Sequence, residues 1–295
     1  MKVLLAGANS YIASQLIPCL IEKGHQVICV ARDKKYFTTQ HNYDGIVVLN
    51  GDLLRSHSIE DFPVDIDAAF YLANRLTQTS GFAGLEALSA QNFMDALNKT
   101  HCSQLITVGD LHATSREHIE KILASGRASL TGLQTSMIVG PGSISMELFR
   151  ALTENKPIVI TKAWSEANIQ PIYIGDLLGY LLDCLLNRST YNRKFEIGGP
   201  QTITFKQMLL LYIATYADER PNIVTLPRLN SRLSAYLANF LSPINYPEAQ
   251  SLLENLRYDS VCTEDCIKDI LPRECVTFKQ SLQLLHNHTE KPMSV

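Results

Sequence analysis

Residues 1–33, MKVLLAGANSYIASQLIPCLIEKGHQVICVARD, decide the fold. Lys2 to Ala6 is an apolar run without a turn residue, and Gly7-Ala8-Asn9-Ser10 is a turn signal. Tyr11 to Glu22 spaces Ile12, Leu16, Leu20 and Ile21 at a helical period, with Gly24 as the stop. Val27 to Ala31 reads as a second buried strand. The result is one βαβ unit. A glycine turn that opens a helix after a buried strand aims backbone N–H groups at a phosphate.

The glycine pattern of that turn is thin. A dinucleotide-binding turn asks for three small residues: one for the bend, one where the backbone meets pyrophosphate, one where helix meets strand. Gly7 fills the first place, Ser10 the second and Ala13 the third. Ala13 is small enough for a helix–strand contact. Ser10 admits two readings: its Cβ pushes a pyrophosphate out, or its hydroxyl bonds a phosphate. A turn that binds nothing is the plain alternative. At the end of the second strand stands Arg32, where an acidic residue would suit a ribose 2′-hydroxyl and a basic one a 2′-phosphate. Its guanidinium fork matches phosphate geometry, which favours NADP(H) over NAD(H); a solvated strand-end arginine is the alternative. Asp33 stands one place too late to be the ribose ligand.

Further strand-like runs lie at Ile46–Leu49, Asp67–Leu72, Gln104–Val108 and Gln134–Val139, separated by helical patterns at Leu85–Leu97 and Ser115–Ser125. This alternation predicts an α/β domain over residues 1–140, a doubly wound parallel sheet with helices on both faces and right-handed crossovers. Gly51-Asp52 closes the third strand at the carboxyl edge, where ligands of such sheets bind. Asp52 either accepts from an adenine amino group or caps the next segment. After Gly140-Pro141-Gly142 the pattern changes, and residues 141–295 read as a smaller α+β lobe packed on that edge. Ser143 caps a helix to Asn155, Pro157–Thr161 is a short strand, and Ile169–Ile174 is a strand interrupted by Pro171. Asp176 caps a helix to Leu186, Phe195–Ile197 is a strand, and Thr204 caps another helix. From Pro221 onward the elements read as helical, and residues 286–295 as frayed.

Composition narrows the function classes. A chain of 295 residues with 46% hydrophobic and 19% charged residues can bury about three-quarters of its unfolded surface. A net charge of -3 gives no electrostatic case for nucleic acid, and no apolar run reaches bilayer length. The apolar N-terminus runs straight into the βαβ unit and is read as structure, not as a leader, so a cytoplasmic location is expected. Seven cysteines are scattered, and Cys19, Cys29, Cys102 and Cys184 sit in apolar element interiors. Cys262, Cys266, Cys275, His286 and His288 match no metal ribbon spacing, so no metal is expected. Gly-x-Ser-x-Gly, Walker and His-Glu-x-x-His patterns are absent.

In order and spacing these segments resemble the extended and atypical short-chain dehydrogenase/reductase superfamily, specifically its NmrA-like and complex-I-accessory-subunit-like NAD(P)H-binding branch. The resemblance runs over nearly the whole chain. The family turn Gly-Ala-Thr-Gly-Tyr-Ile-Gly corresponds to Gly7-Ala8-Asn9-Ser10-Tyr11-Ile12-Ala13, and its Gly-Asp-Leu to Gly51-Asp52-Leu53. Ile138 to Gly142, Ile169 to Ile172, Ile174 to Leu177 and Phe195 to Pro200 complete it. The resemblance implies a Rossmann domain in which Gly7, Ser10, Tyr11 and Ile12 border the pyrophosphate, Arg32 the 2′-phosphate, Asp52 the adenine and Ala73 the cofactor.

The superfamily's Tyr-x-x-Ser-Lys signature supplies a proton-transfer tyrosine whose pKa the lysine and the nicotinamide charge lower. Here the corresponding run is His112-Ala113-Thr114-Ser115-Arg116, and the upstream serine position falls near Gly109-Asp110. His112 then reads as a substitute acid oriented by Asp110, and Arg116 as a ribose ligand; the alternative is that His112 only starts a helix. Trp164, Gln170 and Tyr173 fall where the family's substrate lobe faces the cofactor. Two functions follow: a reductase of a small carbonyl compound, or a non-catalytic NADP(H)-binding redox sensor or assembly protein acting on a regulatory partner. Pairing of the helices at Leu85–Leu97 and Ser115–Ser125 implies a possible homodimer.

Overall fold

The computed structural model describes residues 1–41, 43–73, 83–111, 117–153, 158–161, 166–216, 222–226, 258–263 and 267–290. The chain divides into two compact units. One comprises Met1–Gln134, Leu177–Glu196 and Asp265–Pro272; the other comprises Thr135–Asp176, Ile197–Glu264 and Arg273–Val295.

The first unit is built on a seven-stranded sheet. Its strands are β1 (Lys2–Ala6), β2 (Gln26–Ala31), β3 (Val47–Asn50), β4 (Ala68–Tyr71), β5 (Gln104–Asp110), β6 (Ser129–Thr135) and β11 (Arg193–Ile197). The order is β11-β6-β5-β4-β1-β2-β3, so strand order reverses between β1 and β4. Val3 pairs in parallel with Val27 on one side and with Ala68 on the other. This is the doubly wound parallel architecture expected from the alternation of segments. Both faces are buried, which is why β1 is a continuous apolar run. Leu4, Ala6, Ile28, Val30, Ala69 and Tyr71 pack with Phe93, Met94 and Leu97 of α3 (Ala83–Leu97) and Ile119 and Leu123 of α4 (Glu117–Ala124). Residues of opposite parity, Val3, Leu5, Val27 and Cys29, are fully buried too, as are Ala13, Leu16, Ile17 and Leu20 of α1 (Tyr11–Glu22).

Helix α1 contains Pro18 in its interior. Proline lacks the N–H that would bond the carbonyl four residues back. That carbonyl belongs to Ser14, and the Tyr43 hydroxyl donates to it at 3.2 Å. At the amino end of β5, the fully buried Gln104 amide donates to Thr131 Oγ1, Thr190 Oγ1 and the Cys184 carbonyl, and accepts from Leu186 N.

The second unit holds β7 (Ile138–Val139), α5 (Ile144–Thr153), β8 (Ile158–Thr161), β9 (Asn168–Ile169), β10 (Ile172–Tyr173), β12 (Ile203–Thr204), α7 (Phe205–Tyr216), β13 (Ile223–Leu226) and α9 (Phe278–Glu290). Helix α6 (Ile174–Cys184) begins in this unit and continues into the first, to which α8 (Ile267–Ile270) also belongs. Three strand pairs form: β7 with β10, β9 with β12, and β8 with β13. Phe149 sits among Phe205, Tyr212 and Phe278 at 5.4, 5.4 and 6.0 Å between ring centres. Reciprocal capping pairs start two of the helices. Thr204 and Gln207 exchange side-chain-to-backbone bonds at α7, and Thr277 and Gln280 do so at α9. Ser143 caps α5 as expected, its Oγ accepting from Met146 N and Gly140 N.

Four expectations need correction. The run Gln134–Val139 is not one strand: β6 starts at Ser129 and ends at Thr135, and Ile138–Val139 pairs with β10 in another sheet. Its start was hidden because Thr131 and Gly132 interrupt the apolar pattern, whereas Thr131 is fully buried and bonded to Thr190 and Gln104. Asp176 does not cap its helix; α6 begins at Ile174, and Asp176 lies in the first turn. The region after Pro221 is not free of strands, since Ile223–Leu226 pairs in parallel with β8. Residues 286–290 are not frayed: they belong to α9, with His286 edge-on to Tyr216 at 5.3 Å.

Candidate functional site

The carboxyl end of β1 is where the sequence concentrates unusual geometry. Gly7 has φ 81°, a left-handed conformation that disfavours any side chain. A Cβ there would stand 2.5 Å from Ala73 N and Leu72 C. Gly7 and Ala73, assigned separately to the cofactor, are therefore adjacent, with the turn resting on the backbone that leaves β4. The Gly7 carbonyl accepts from Ser10 N at 2.9 Å, closing the turn.

Ser10 takes a role that neither of its readings included. Its backbone is extended (φ -72°, ψ 153°) and its Oγ accepts from Ala13 N at 3.2 Å. It is the N-cap of α1, a function serine performs well because its short side chain folds back onto its own helix start. A serine directly before a helical period was the signal that could have revealed it. Ala13 is fully buried one turn in, and the N–H groups of the first turn, where Tyr11 and Ile12 stand, are those a helix leaves for an anion.

At the end of β2 the neighbouring charges have separate duties. Asp33 accepts from Tyr36 N at 2.9 Å and caps α2 (Lys34–Gln40). Arg32, Lys34 and Lys35 are exposed, and among the described residues none of the three forms an ion pair. Three cations thus stand beside one carboxylate that is already engaged. Asp52, beyond β3, turns its own chain: its carboxylate accepts from Leu54 N at 3.1 Å and lies 3.7 Å from Arg55 Nε. Asn92 of α3 ties this segment down by donating to the Leu53 carbonyl at 2.8 Å.

His112, Arg116 and Trp164 lie outside the described residues. Gln170 and Tyr173 lie in the second unit. Gln170 is 9% exposed and its amide is used as a brace, donating to the Gly199 carbonyl at 2.9 Å and accepting from Cys262 N at 3.0 Å. Tyr173 is half-buried, and its ring covers Gly175, where a Cβ would come within 2.6 Å of it. Burial pushes its hydroxyl pKa up, and the charge of Asp176 adds to that. Asp176 accepts from Val276 N at 3.0 Å; burial raises its pKa against the opposing pull of that bond and of Arg273.

Further observations bear on chemistry. Cys29, Cys102 and Cys184 have thiols pushed up to about 12, chiefly by burial, which makes them packing residues. Cys19, in contrast to the reading above, is only half-buried. No group of three potential metal ligands occurs among the described residues, and no helix there is long and apolar enough to cross a membrane. Thr135, which sequence reasoning passed over, ends β6 with a buried Oγ that has no hydrogen-bond partner. A hydroxyl residue closing a buried strand was its only sequence signal.

Residues 7–136 match the NAD(P)H-binding family. No curated protein matches the sequence. Solved structures similar to the whole chain include triphenylmethane reductase from Citrobacter sp. complexed with NADP(H), at a TM-score of 0.75, 14% identity, and coverage of 97% of this chain and 100% of that one. Yeast methylglyoxal/isovaleraldehyde reductase Gre2 complexed with NADPH aligns with a TM-score of 0.69 and 14% identity over 98% of each chain. Bordetella bronchiseptica WbmH in complex with NAD+ gives 0.69 and 12% over 98% of each chain. These likenesses show the fold, a Rossmann-like α/β architecture, and residues 7–136 of it are similar to the NAD(P)H-binding family.

Proposed function

We propose that this chain binds NADP(H) in preference to NAD(H) and is a reductase of a small carbonyl compound, of the NmrA-like, complex-I-accessory-subunit-like branch. The observation that carries the cofactor choice is the cluster Arg32, Lys34 and Lys35, exposed and without an ion pair among the described residues, next to an Asp33 already spent on capping α2. An unpaired arginine fork at the end of β2 is suited to a 2′-phosphate, and no carboxylate free of other duties stands beside it for a ribose diol. The relatives complexed with NADP(H) and NADPH agree with this choice, and WbmH with NAD+ shows that the fold accommodates either.

In this reading residues 1–140 carry the cofactor and residues 141–295 the substrate or partner. Gly7 permits the close turn, Ser10 holds the helix start, and the first-turn N–H groups at Tyr11 and Ile12 face the pyrophosphate. Asp52, with Leu54 N on its carboxylate, keeps acceptor capacity for an adenine amino group. The nicotinamide, when bound, supplies the hydride. His112 donates the proton to the substrate oxygen, Arg116 holds the ribose hydroxyls, and Trp164, Gln170 and Tyr173 contact the substrate. Exposed Leu85 and Leu88 on α3 suit a homodimer, and a cytoplasmic location accompanies the reading. The second reading, a non-catalytic redox sensor or assembly protein, is favoured by one observation: His112 and Arg116 stand where the superfamily has tyrosine and lysine.

Titration of the purified protein with NADPH and with NADH, followed by nicotinamide fluorescence, tests the cofactor assignment. NADPH should bind more tightly, and Arg32→Ala should weaken it by about ten-fold or more, the worth of a charge-assisted bond. Equal affinities that ignore Arg32→Ala would overturn the assignment. Turnover on a carbonyl panel separates reductase from sensor, and His112→Ala should abolish it.

A further inference from the structure

Successive strands of the first unit, from β1 to β6, are joined through α1, α2, α3 and α4 everywhere except between β3 and β4. There, residues 51–67 hold only a three-residue 3-10 turn, Ser56–Ser58, in an otherwise irregular strap. The strap runs beside α3. Asn92 donates to the Leu53 carbonyl at 2.8 Å, and the Phe62 ring lies 6.0 Å from that of Phe93. An irregular strap is thinner than a helix, which with its side chains is about 10 Å across, and a groove of about 380 Å³ remains between strap and α3. Ile59, Phe62 and Val64 of the strap and Ala96 of the helix supply its apolar lining. Val64 is 55% exposed, more than any other valine, leucine, isoleucine or methionine among the described residues.

The charges around that lining are mostly of one sign. Glu60 and Asp61 on the strap are exposed and make no side-chain hydrogen bond or ion pair among the described residues. Asp95 on α3 is exposed too, and accepts only from the neutral amide of Gln91, at 2.8 Å. Lys99, the one cation lining the groove among the described residues, stands just past the end of α3, where the last carbonyls of a helix favour positive charge. More than half of the lining residues are polar, whereas small-molecule sites are mostly apolar. The walls are a helix and an irregular strap, with no strand edge for an extended peptide to join. We propose that this groove docks a partner protein by seating a basic amphipathic helix. Apolar anchors one turn apart would settle on Phe62, Val64 and Ala96, and flanking lysines or arginines would reach Asp61 and Asp95. The site lies within the first unit, does not include Leu85 and Leu88, and is independent of the cofactor reading.

The test uses the full chain and two fluorescein-labelled, stapled helices of about four turns, identical along a leucine face. One is flanked by lysines, the other by glutamates. Followed by anisotropy, the lysine helix should bind about ten-fold more tightly than the glutamate helix, with the gap narrowing as salt rises. Asp61→Lys and Asp95→Lys should each weaken the lysine helix by about five-fold, and Lys99→Glu should strengthen it by about two-fold. Val64→Ser, which removes apolar lining without charge, should weaken it by about three-fold. Asp44→Lys makes the same change in net charge outside the groove, at another exposed position, and should leave binding unchanged. Equal binding of the two helices, or no binding of the lysine helix, overturns the proposal. Weakening by Asp44→Lys as large as that by Asp61→Lys also overturns it, because net charge alone would then be acting. Spermidine that displaces the lysine helix at an equal concentration overturns it in favour of a small cation. A parent chain that sediments as a dimer and dissociates in Asp61→Lys assigns the groove to a second copy, which overturns it as well.

Discussion

Two of the strand ends that close on glycine in this chain use it differently. After β1, Gly7 combines φ 81° with a Cβ position 2.5 Å from Ala73 N and Leu72 C, and the chain passes straight into the capped start of α1. After β11, Gly199 needs no left-handed backbone, yet a Cβ there would meet the Pro171 carbonyl oxygen at 2.3 Å. Gly199 then gives its N–H to that same carbonyl and its own carbonyl to the Gln170 amide. The second end uses its polar groups internally, while the first turns a helix start, with its intrinsic surplus of N–H groups, toward the carboxyl edge of the sheet. Glycine alone records that something comes close. Polar groups left over beside it are what distinguish a binding turn from a brace.

The comparison can be broken at either end. Gly7→Ala faces both the cost of a left-handed alanine and a clash with backbone atoms that cannot swing away, so we expect a loss of about 3–5 kcal/mol in urea unfolding. A loss under 1 kcal/mol would mean that the turn is looser than its geometry states. Gly199→Ala meets a clash without the backbone strain and should cost about 1–3 kcal/mol, while NADPH affinity of the folded fraction stays at the parent value. A fall in that affinity would make the second end a binding element as well. Ser10→Ala removes only the cap of α1 and should cost about 1 kcal/mol, and Ser10→Gly a few tenths. A drop in NADPH affinity beyond that attributable to unfolding would return the Ser10 hydroxyl to the phosphate.

What could be read beforehand followed the range of the forces involved. The limits of β1 and α1 match their sequence patterns because apolar runs and helical periodicity are local and both faces of the sheet are buried. Strand β6 was misread at its start because Thr131 is polar by type and core by circumstance, its hydroxyl bonded across to Thr190, 59 residues away. The brace at Gln170 was equally hidden, with partners 29 and 92 residues distant. Asp33 and Ser10 were both readable as caps, since each stands directly before a helix and bonds three residues ahead. Thr135 could not be read at all, because an orphaned hydroxyl is a property of everything around it.

Pro18 makes the first helix depend on a residue from outside it for one backbone hydrogen bond. The Ser14 carbonyl that it leaves unbonded is taken up by Tyr43, 29 residues further along. As the chain leaves the ribosome, α1 can coil before that tyrosine exists, but only with an open bond facing water. The first βαβ unit is therefore completed by the segment ahead of β3, which carries Tyr43. A fragment ending at Ala31 would lack Tyr43 and leave the Ser14 carbonyl to water.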